Sequence, residues 1–200
     1  MNPYKIVDEF EKKMANFTGS KYAVAVDNCT NALFLCCKYL KVNKVTIPSK
    51  TYVSVPCSVI HAGGTVEFRE YEWLEKGYYQ LEPYPIYDAA LICNKNMYVK
   101  DSYFCVSFSA NKTINIGKGG MILTNDADAV DWLKQARYCG RHEVPLIQDN
   151  FEVIGWNMYM TPEQAARGLL LLNNIKDLNP HRIQQYPNLS QYKIFNYDHV

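Results

Sequence analysis

Ser107-Phe-Ser-Ala-Asn-Lys112-Thr-Ile-Asn-Ile-Gly117-Lys-Gly-Gly120 is the stretch that decides how this chain is read. It overlaps Tyr103-Phe-Cys-Val-Ser-Phe108, a β-rich apolar run of strand length, and leads into a second one, Met121-Ile-Leu-Thr124. The loop between two buried strands thus carries one lysine near its start and three glycines near its end. Ordinary surface duty does not call for a lysine in that place. An amine held beside apolar strands is partly desolvated, which disfavours its charged form and frees it as a nucleophile for Schiff-base chemistry. Ile116-Gly-Lys-Gly-Gly also invites comparison with a phosphate-binding P-loop. That motif needs Gly-x-x-x-x-Gly-Lys-(Ser/Thr) opening a helix, and here a strand follows.

Upstream of this loop, strands alternate with helices. Tyr22-Ala-Val-Ala-Val26, Lys44-Val-Thr-Ile-Pro48 and Thr65-Val-Glu-Phe-Arg69 read as strands. Asn2-Pro3 and the run from Tyr4 to Ala15 predict a capped helix with proline at its first position and Ile6, Phe10 and Met14 on one face. A second helix is expected over Ala32-Leu-Phe-Leu-Cys-Cys-Lys-Tyr-Leu40, and a third before the stop at Gly63-Gly64. The alternation argues for crossovers on a parallel sheet, an α/β fold of three α/β/α layers with a mostly parallel sheet. Ile86-Tyr87 is a further strand end with Asp88 at its carboxyl tip, where ligands of such sheets sit. The turn Asp27-Asn28-Cys29-Thr30-Asn31 places free N–H groups at a helix N-terminus, an anion site; simple N-capping would favour the same residues.

Downstream, Asp126 opens a helix with acids early and bases late, and Thr161-Pro162 caps another. The stretch from Phe151 to Met160 has few strand signals and many apolar residues, which suggests an interface. A polar tail is expected over 177–200, and the whole of 1–200 is taken as a single domain with a core of about 20–176. The chain has 200 residues, 48% of them hydrophobic, enough for one core, and a net charge of +1 gives no electrostatic case for nucleic acid or anionic membrane. Seven cysteines without a Cys-x-x-Cys pair, no signal peptide and no membrane-length apolar run point to a cytoplasmic protein; no metal site is expected.

Ser107-Phe-x-x-x-Lys112 followed by Gly117-x-Gly-Gly120 resembles the cofactor-lysine segment of the DegT/DnrJ/StrS sugar aminotransferases, fold-type I enzymes that use pyridoxal 5'-phosphate. Further motifs follow in family order: Cys29-Thr30-Asn31-Ala32-Leu33, Tyr52 after Thr51, Tyr87-Asp88-Ala89-Ala90, and Gly155-Trp-Asn157 through Gln164-Ala-Ala. The resemblance implies ping-pong transamination through an internal aldimine on Lys112, acting on a nucleotide-linked keto-sugar with a separate amino donor. It also implies that Asp88 pairs with the pyridine nitrogen next to Ala90 and that Tyr52 stacks on the ring. Cys29, Thr30, Asn31 and Ser107 would hold the phosphate, and Asn157 would reach the site of a partner in a homodimer. The chain departs from the family at Cys29 (for Gly), Tyr87 (for Glu), Leu91 (for Gln), Lys118 (for an acid) and Tyr159 (for Arg), and is short between Glu70 and Tyr84. The resemblance extends to about Lys176, and a shortened member without the family's C-terminal domain is expected. These departures leave a second expectation, a cofactor-binding relative without sugar aminotransferase turnover.

Overall fold

Strands that are buried at every position are covered on both faces, and two such strands form the centre of this chain. The computed structural model describes residues 4–195. The central strands are β6 (Tyr103–Ser107) and β7 (Gly120–Thr124), both buried throughout. Around them stand β1 (Tyr22–Val26), β4 (Tyr79–Gln80) and β5 (Ile86–Asp88), in the order β1-β7-β6-β5-β4. A parallel pair, β2 (Lys44–Pro48) and β3 (Thr65–Arg69), joins the edge through the isolated antiparallel bridge Thr46↔Glu82.

Followed through these pairings, β1, β2, β3, β5 and β6 run one way while β4 and β7 run against them. The sheet is therefore mixed. The expected mostly parallel sheet holds for strand direction, but only β5–β6 and β2–β3 are parallel ladders. The cause lies in the connections: the loop from β6 to β7 and the short turn from β4 to β5 contain no crossover helix, so each returns antiparallel.

Alternation along β6 sends its side chains to two layers. Tyr103 and Cys105 face α2 (Cys29–Tyr39): the Tyr39 and Tyr103 rings lie 5.9 Å apart, and the Sγ atoms of Cys36 and Cys105 lie 3.7 Å apart, both thiols free. α3 (Ser54–His61) and α4 (Ala127–Ala136) pack beside α2. Phe108, at the end of β6, faces the other way and meets Phe10 of α1 (Lys5–Thr18) with ring centroids 5.4 Å apart; α5 (Pro162–Leu172) packs on α1. These are the three expected layers.

The expected Asn2-Pro3 cap lies outside the described residues. The buried face of α1 is Val7, Phe10, Glu11, Met14 and Ala15, with Ile6 at its border. Glu11 is buried because its carboxylate accepts from the Ala25 N–H at 2.8 Å and pairs with the Arg137 guanidinium, which also donates to Ala25 O at 2.6 Å. α5 starts as its sequence predicts, with Pro162 in the first turn and a reciprocal capping box between Thr161 and Gln164. No helix among the described residues is long and apolar enough to cross a membrane.

Two expectations about the C-terminal third change. The segment read as a polar tail does not trail away over its described part. Lys95 pairs with Asp177 at 3.0 Å, Asn179 donates to Cys93 O, the His181 ring bonds Leu74 O at 2.7 Å, and Leu189 N–H donates to Ser49 O at 2.7 Å. Nor is the stretch from Phe151 to Met160 uniformly exposed. Trp156 packs edge-on against Phe34, Tyr159 sits between Tyr4 and Tyr138, and Met160 is buried, whereas Phe151 and Ile154 face solvent.

Candidate active site

α2 begins immediately after β1, so its first turn opens at the carboxyl end of that strand. Asn28 caps it, its side chain accepting from the Asn31 N–H at 2.8 Å, which leaves the N–H groups of Cys29 and Thr30 without intrahelical partners. The glycine end of the β6–β7 loop lies directly on this turn. A Cβ built on Gly120 would stand 2.5 Å from the Asn28 carbonyl carbon and 2.6 Å from the Cys29 nitrogen, so only glycine fits there. Gly117, by contrast, is required by its backbone, with φ +91 in the left-handed region.

Between that helix start, the β6–β7 loop and the end of β5 lies a cavity of about 300 Å³. Of the residues singled out in the sequence, Cys29, Thr30, Tyr52, Asp88, Ala90, Ser107 and Lys112 all line it. Two do not. Asn31 donates its side-chain amide to Asp27 Oδ1 at 2.7 Å, a bond that braces the turn and draws the side chain from the cavity. Asn157 is exposed, held by a bridge to Tyr138, and does not line the cavity of its own chain.

Asp88 is 5% exposed at the floor. Its carboxylate accepts from the Ala90 N–H at 3.0 Å and the Tyr79 hydroxyl at 3.1 Å, and the Tyr79 hydroxyl lies 2.5 Å from Thr51 Oγ1. Burial holds the Asp88 carboxyl above the usual carboxylate range, while those two hydrogen bonds and the nearby Lys112 charge draw it back. No basic side chain lies within ion-pair distance of Asp88 among the described residues, so a buried carboxylate faces the cavity without a counter-ion in contact. Burial likewise pushes the Cys29 thiol well up, with Asp88 adding to the effect and Lys112 opposing it. A thiol so placed stays protonated and acts as packing. Cys29 takes its place as the first residue of α2, outside the left-handed region, so the helix accepts a side chain there.

Lys112 is half-buried in the cavity lining, on the loop whose first turn is closed by Lys112 N–H to Ser109 O at 3.0 Å. Ser107 is buried and shares a hydroxyl contact with Ser109 at 3.4 Å; Thr30 donates to Ser54 Oγ at 2.8 Å. Tyr52 stands at the rim, 58% exposed. Lys118 also lines the cavity, and its ammonium pairs with Asp27 Oδ2 at 3.3 Å.

Tyr79, which braces Asp88 from behind the lining, and several lining residues escaped the sequence reading. Tyr79 sits opposite Asp88 in the β4–β5 ladder, in the interval where no strand was expected; Tyr78-Tyr79-Gln80 is a β-forming triplet that could have signalled it. Trp73 packs edge-on against Tyr79 at 4.7 Å and stacks on Tyr186 at 5.8 Å. Tyr186 and Gln184 come from the supposed tail, where nothing local marks them as site residues.

A sequence profile of the DegT/DnrJ/EryC1/StrS aminotransferase family matches residues 1–83 and 94–192. GDP-perosamine synthase of Caulobacter vibrioides is 27% identical across 86% of the chain, and spore coat polysaccharide biosynthesis protein SpsC of Bacillus subtilis is 25% identical across 88%. In both alignments the chain spans 58% of the relative. Among solved structures, Helicobacter pylori PseC, an aminotransferase involved in the biosynthesis of pseudoaminic acid, superposes with a TM-score of 0.72 at 20% identity, over 84% of this chain and 57% of that one. That likeness supports the fold; the family rests on the profile, which covers most of the sequence. The chain belongs to the DegT/DnrJ/EryC1/StrS aminotransferase family.

Proposed function

We propose that the protein is a pyridoxal-phosphate-dependent aminotransferase acting on a nucleotide-linked keto-sugar, with the cavity as its active site. One observation carries the reading. A single cavity joins a buried carboxylate at Asp88 with no cation in contact, a lysine amine at Lys112, and the hydroxyls and N–H groups at the start of α2. Those three features fit the three ends of the cofactor: its protonated ring nitrogen, its carbonyl carbon and its phosphate. The bound cofactor supplies an electron sink for the carbon next to the substrate nitrogen.

The protein's own share follows from its side chains. Asp88, braced by Tyr79 and Ala90, holds the proton on the ring nitrogen. Thr30, Ser107 and the first N–H groups of α2 orient the phosphate through charge-assisted hydrogen bonds and the helix dipole. Lys112 holds the cofactor before substrate arrives, then carries a proton to and from the substrate carbon. Tyr52 at the rim covers the ring and excludes water.

The reading extends to a homodimer with shared sites in a cytoplasmic setting. It is supported by the loop that presents Leu146, Ile147, Phe151 and Ile154 to solvent while Asp149 pins it to His142 and Arg141, because a fixed apolar surface suits a partner subunit better than water. In such a dimer Asn157 serves the neighbouring cavity. The free thiols agree with a reducing compartment.

The test is borohydride reduction of the protein incubated with pyridoxal phosphate, followed by peptide mapping. The cofactor is expected on the peptide containing Lys112, with loss of the visible absorption band in Lys112→Ala. Label on another lysine, or no uptake at all, refutes the reading.

A further inference from the structure

Behind the wall of the cavity, Asp88 ends a short chain of hydroxyls. β4 and β5 pair with Tyr79 opposite Asp88, so the two side chains leave the ladder on the same face. The Tyr79 hydroxyl then lies 3.1 Å from Asp88 Oδ2 and 2.5 Å from Thr51 Oγ1. Thr51 is buried in the lining of the cavity, and Tyr79 stands behind that lining. Trp73 keeps the chain in line. Its ring packs edge-on against Tyr79 at 4.7 Å, and its indole N–H donates at 3.0 Å to Lys50 O, next to Thr51.

The donors and acceptors give this chain a direction. An ionised carboxylate can only accept, so Tyr79 donates to Asp88. A phenol has one proton, and once that proton faces Asp88 its oxygen can only accept, so Thr51 donates to Tyr79. Each bond polarises the next, and the Thr51 hydroxyl therefore strengthens the donor that Asp88 meets. Burial favours the neutral acid at Asp88; a hydrogen bond to the charged form works against it, at an oxygen that no cation touches.

The other groups facing Asp88 do not take over this task. Burial pushes up the thiols of Cys29 on α2 and Cys105 on β6, and it pushes the Tyr186 hydroxyl up to about 12, so all three stay neutral. Burial, then the Asp88 charge, hold the Tyr79 hydroxyl well above its ordinary range, so its proton stays on the bridge. Lys112, on the β6–β7 loop, adds a favourable charge from a distance. We propose that Thr51 and Tyr79 are positioning residues that act in series on Asp88, keeping its carboxylate ionised and aimed so that a proton rests on the cofactor's ring nitrogen rather than on Asp88. Thr51 acts only through Tyr79. The proposal deepens the reading of the cavity as a pyridoxal-phosphate site and rests on it.

The experiment is an NMR titration of cofactor-free protein isotope-labelled at the aspartate carboxyl carbons, with Asp88→Asn identifying the signal. Tyr79→Phe keeps the ring against Trp73 and is expected to raise the Asp88 midpoint by about one pH unit or more, the scale of one hydrogen bond to a charged group. Thr51→Val should raise it by a smaller step, Thr51→Ser should restore it, and Thr51→Val should add nothing once Tyr79→Phe is present. The loaded protein gives a second readout. With pyridoxal phosphate labelled at its ring nitrogen, the signal should stand at the protonated position in wild type and move toward the unprotonated one in Tyr79→Phe. A midpoint unchanged by Tyr79→Phe overturns the proposal; a purely structural Tyr79 would lower the melting temperature and leave the midpoint in place. Equal steps from Thr51→Val in both backgrounds overturn the series arrangement. Midpoints in the expected order in a protein that takes up no pyridoxal phosphate would uphold the relay and refute the cofactor reading. Normal uptake with one ring-nitrogen signal in all variants would uphold the cofactor reading and refute the relay's action on it.

Discussion

Replacing Gly120 with alanine tests the contact on which the proposed phosphate end of the site depends. The added methyl would lie 2.5 Å from the Asn28 carbonyl carbon, 2.6 Å from the Cys29 nitrogen and 2.7 Å from the Asn28 oxygen. Those distances are roughly 1 Å short of ordinary contact between non-bonded atoms. The colliding atoms are all backbone, so no side chain can swing away, and either β7 or the first turn of α2 must move. Forcing one methyl into packed surroundings costs about 1–3 kcal/mol, and near 2 kcal/mol the melting temperature of a chain this size falls by about 4–8 °C. The shift should also carry the Cys29 and Thr30 N–H groups out of line with a phosphate. Losing one hydrogen bond to a charged group weakens binding by about tenfold or more. Thermal melts with and without pyridoxal phosphate, together with spectrophotometric titration, read both effects. Gly117→Ala is the control: nothing lies within 4 Å of its Cβ, so its cost comes from φ alone and cofactor affinity should barely change. Asparagine, which tolerates positive φ, should be milder than alanine at 117 and harsher than alanine at 120. Unchanged melting temperature and cofactor affinity in Gly120→Ala would refute the close approach.

The other predictions concern charge and assembly. Because the fold raises the Asp88 carboxyl, its stabilising contribution is complete below the unfolded value of 3.8 and is lost as pH rises through the folded one, so ionised Asp88 costs the cofactor-free protein stability at neutral pH. Asp88→Asn should therefore melt higher than wild type near neutral pH without cofactor, with the gap closing toward acid, while transamination falls by about a hundredfold or more; a pH-independent gap would refute the sign. If Asn157 serves a partner's cavity, mixing Lys112→Ala with Asn157→Ala chains restores one intact site per heterodimer. Sedimentation should then show a dimer burying on the order of 2,000 Å² or more, and a monomer that binds cofactor at full affinity would refute the shared site.

How far the sequence reaches depends on how local each signal is. β1, β2 and β3 begin and end where their apolar runs do, and α5 starts at its capping box, because these choices are made within a few residues. Most of the candidate site was legible for the same reason: Asp88 stands at a strand end, the α2 turn at a helix start and Lys112 on the loop that leaves β6, and the sheet gathers those ends. β4 was not legible, since two residues have no period and exist as a strand only through pairing with β5. Asn31 shows a subtler limit. A polar residue at a helix start can cap, brace or bind a ligand with the same sequence signal, and here it bonds to Asp27, a choice visible only in three dimensions. The segment from Asn179 to Leu189 is the extreme case. Its residues are polar and aperiodic, and its attachments reach Ser49, Leu74 and Cys93, roughly 90 to 140 positions away in sequence, so no window along the chain contains them. This wall of the cavity is therefore encoded where sequence pattern is weakest, in single contacts such as Tyr186 on Trp73, and a change there can reshape the cavity while leaving Lys112, Asp88 and the helix start untouched.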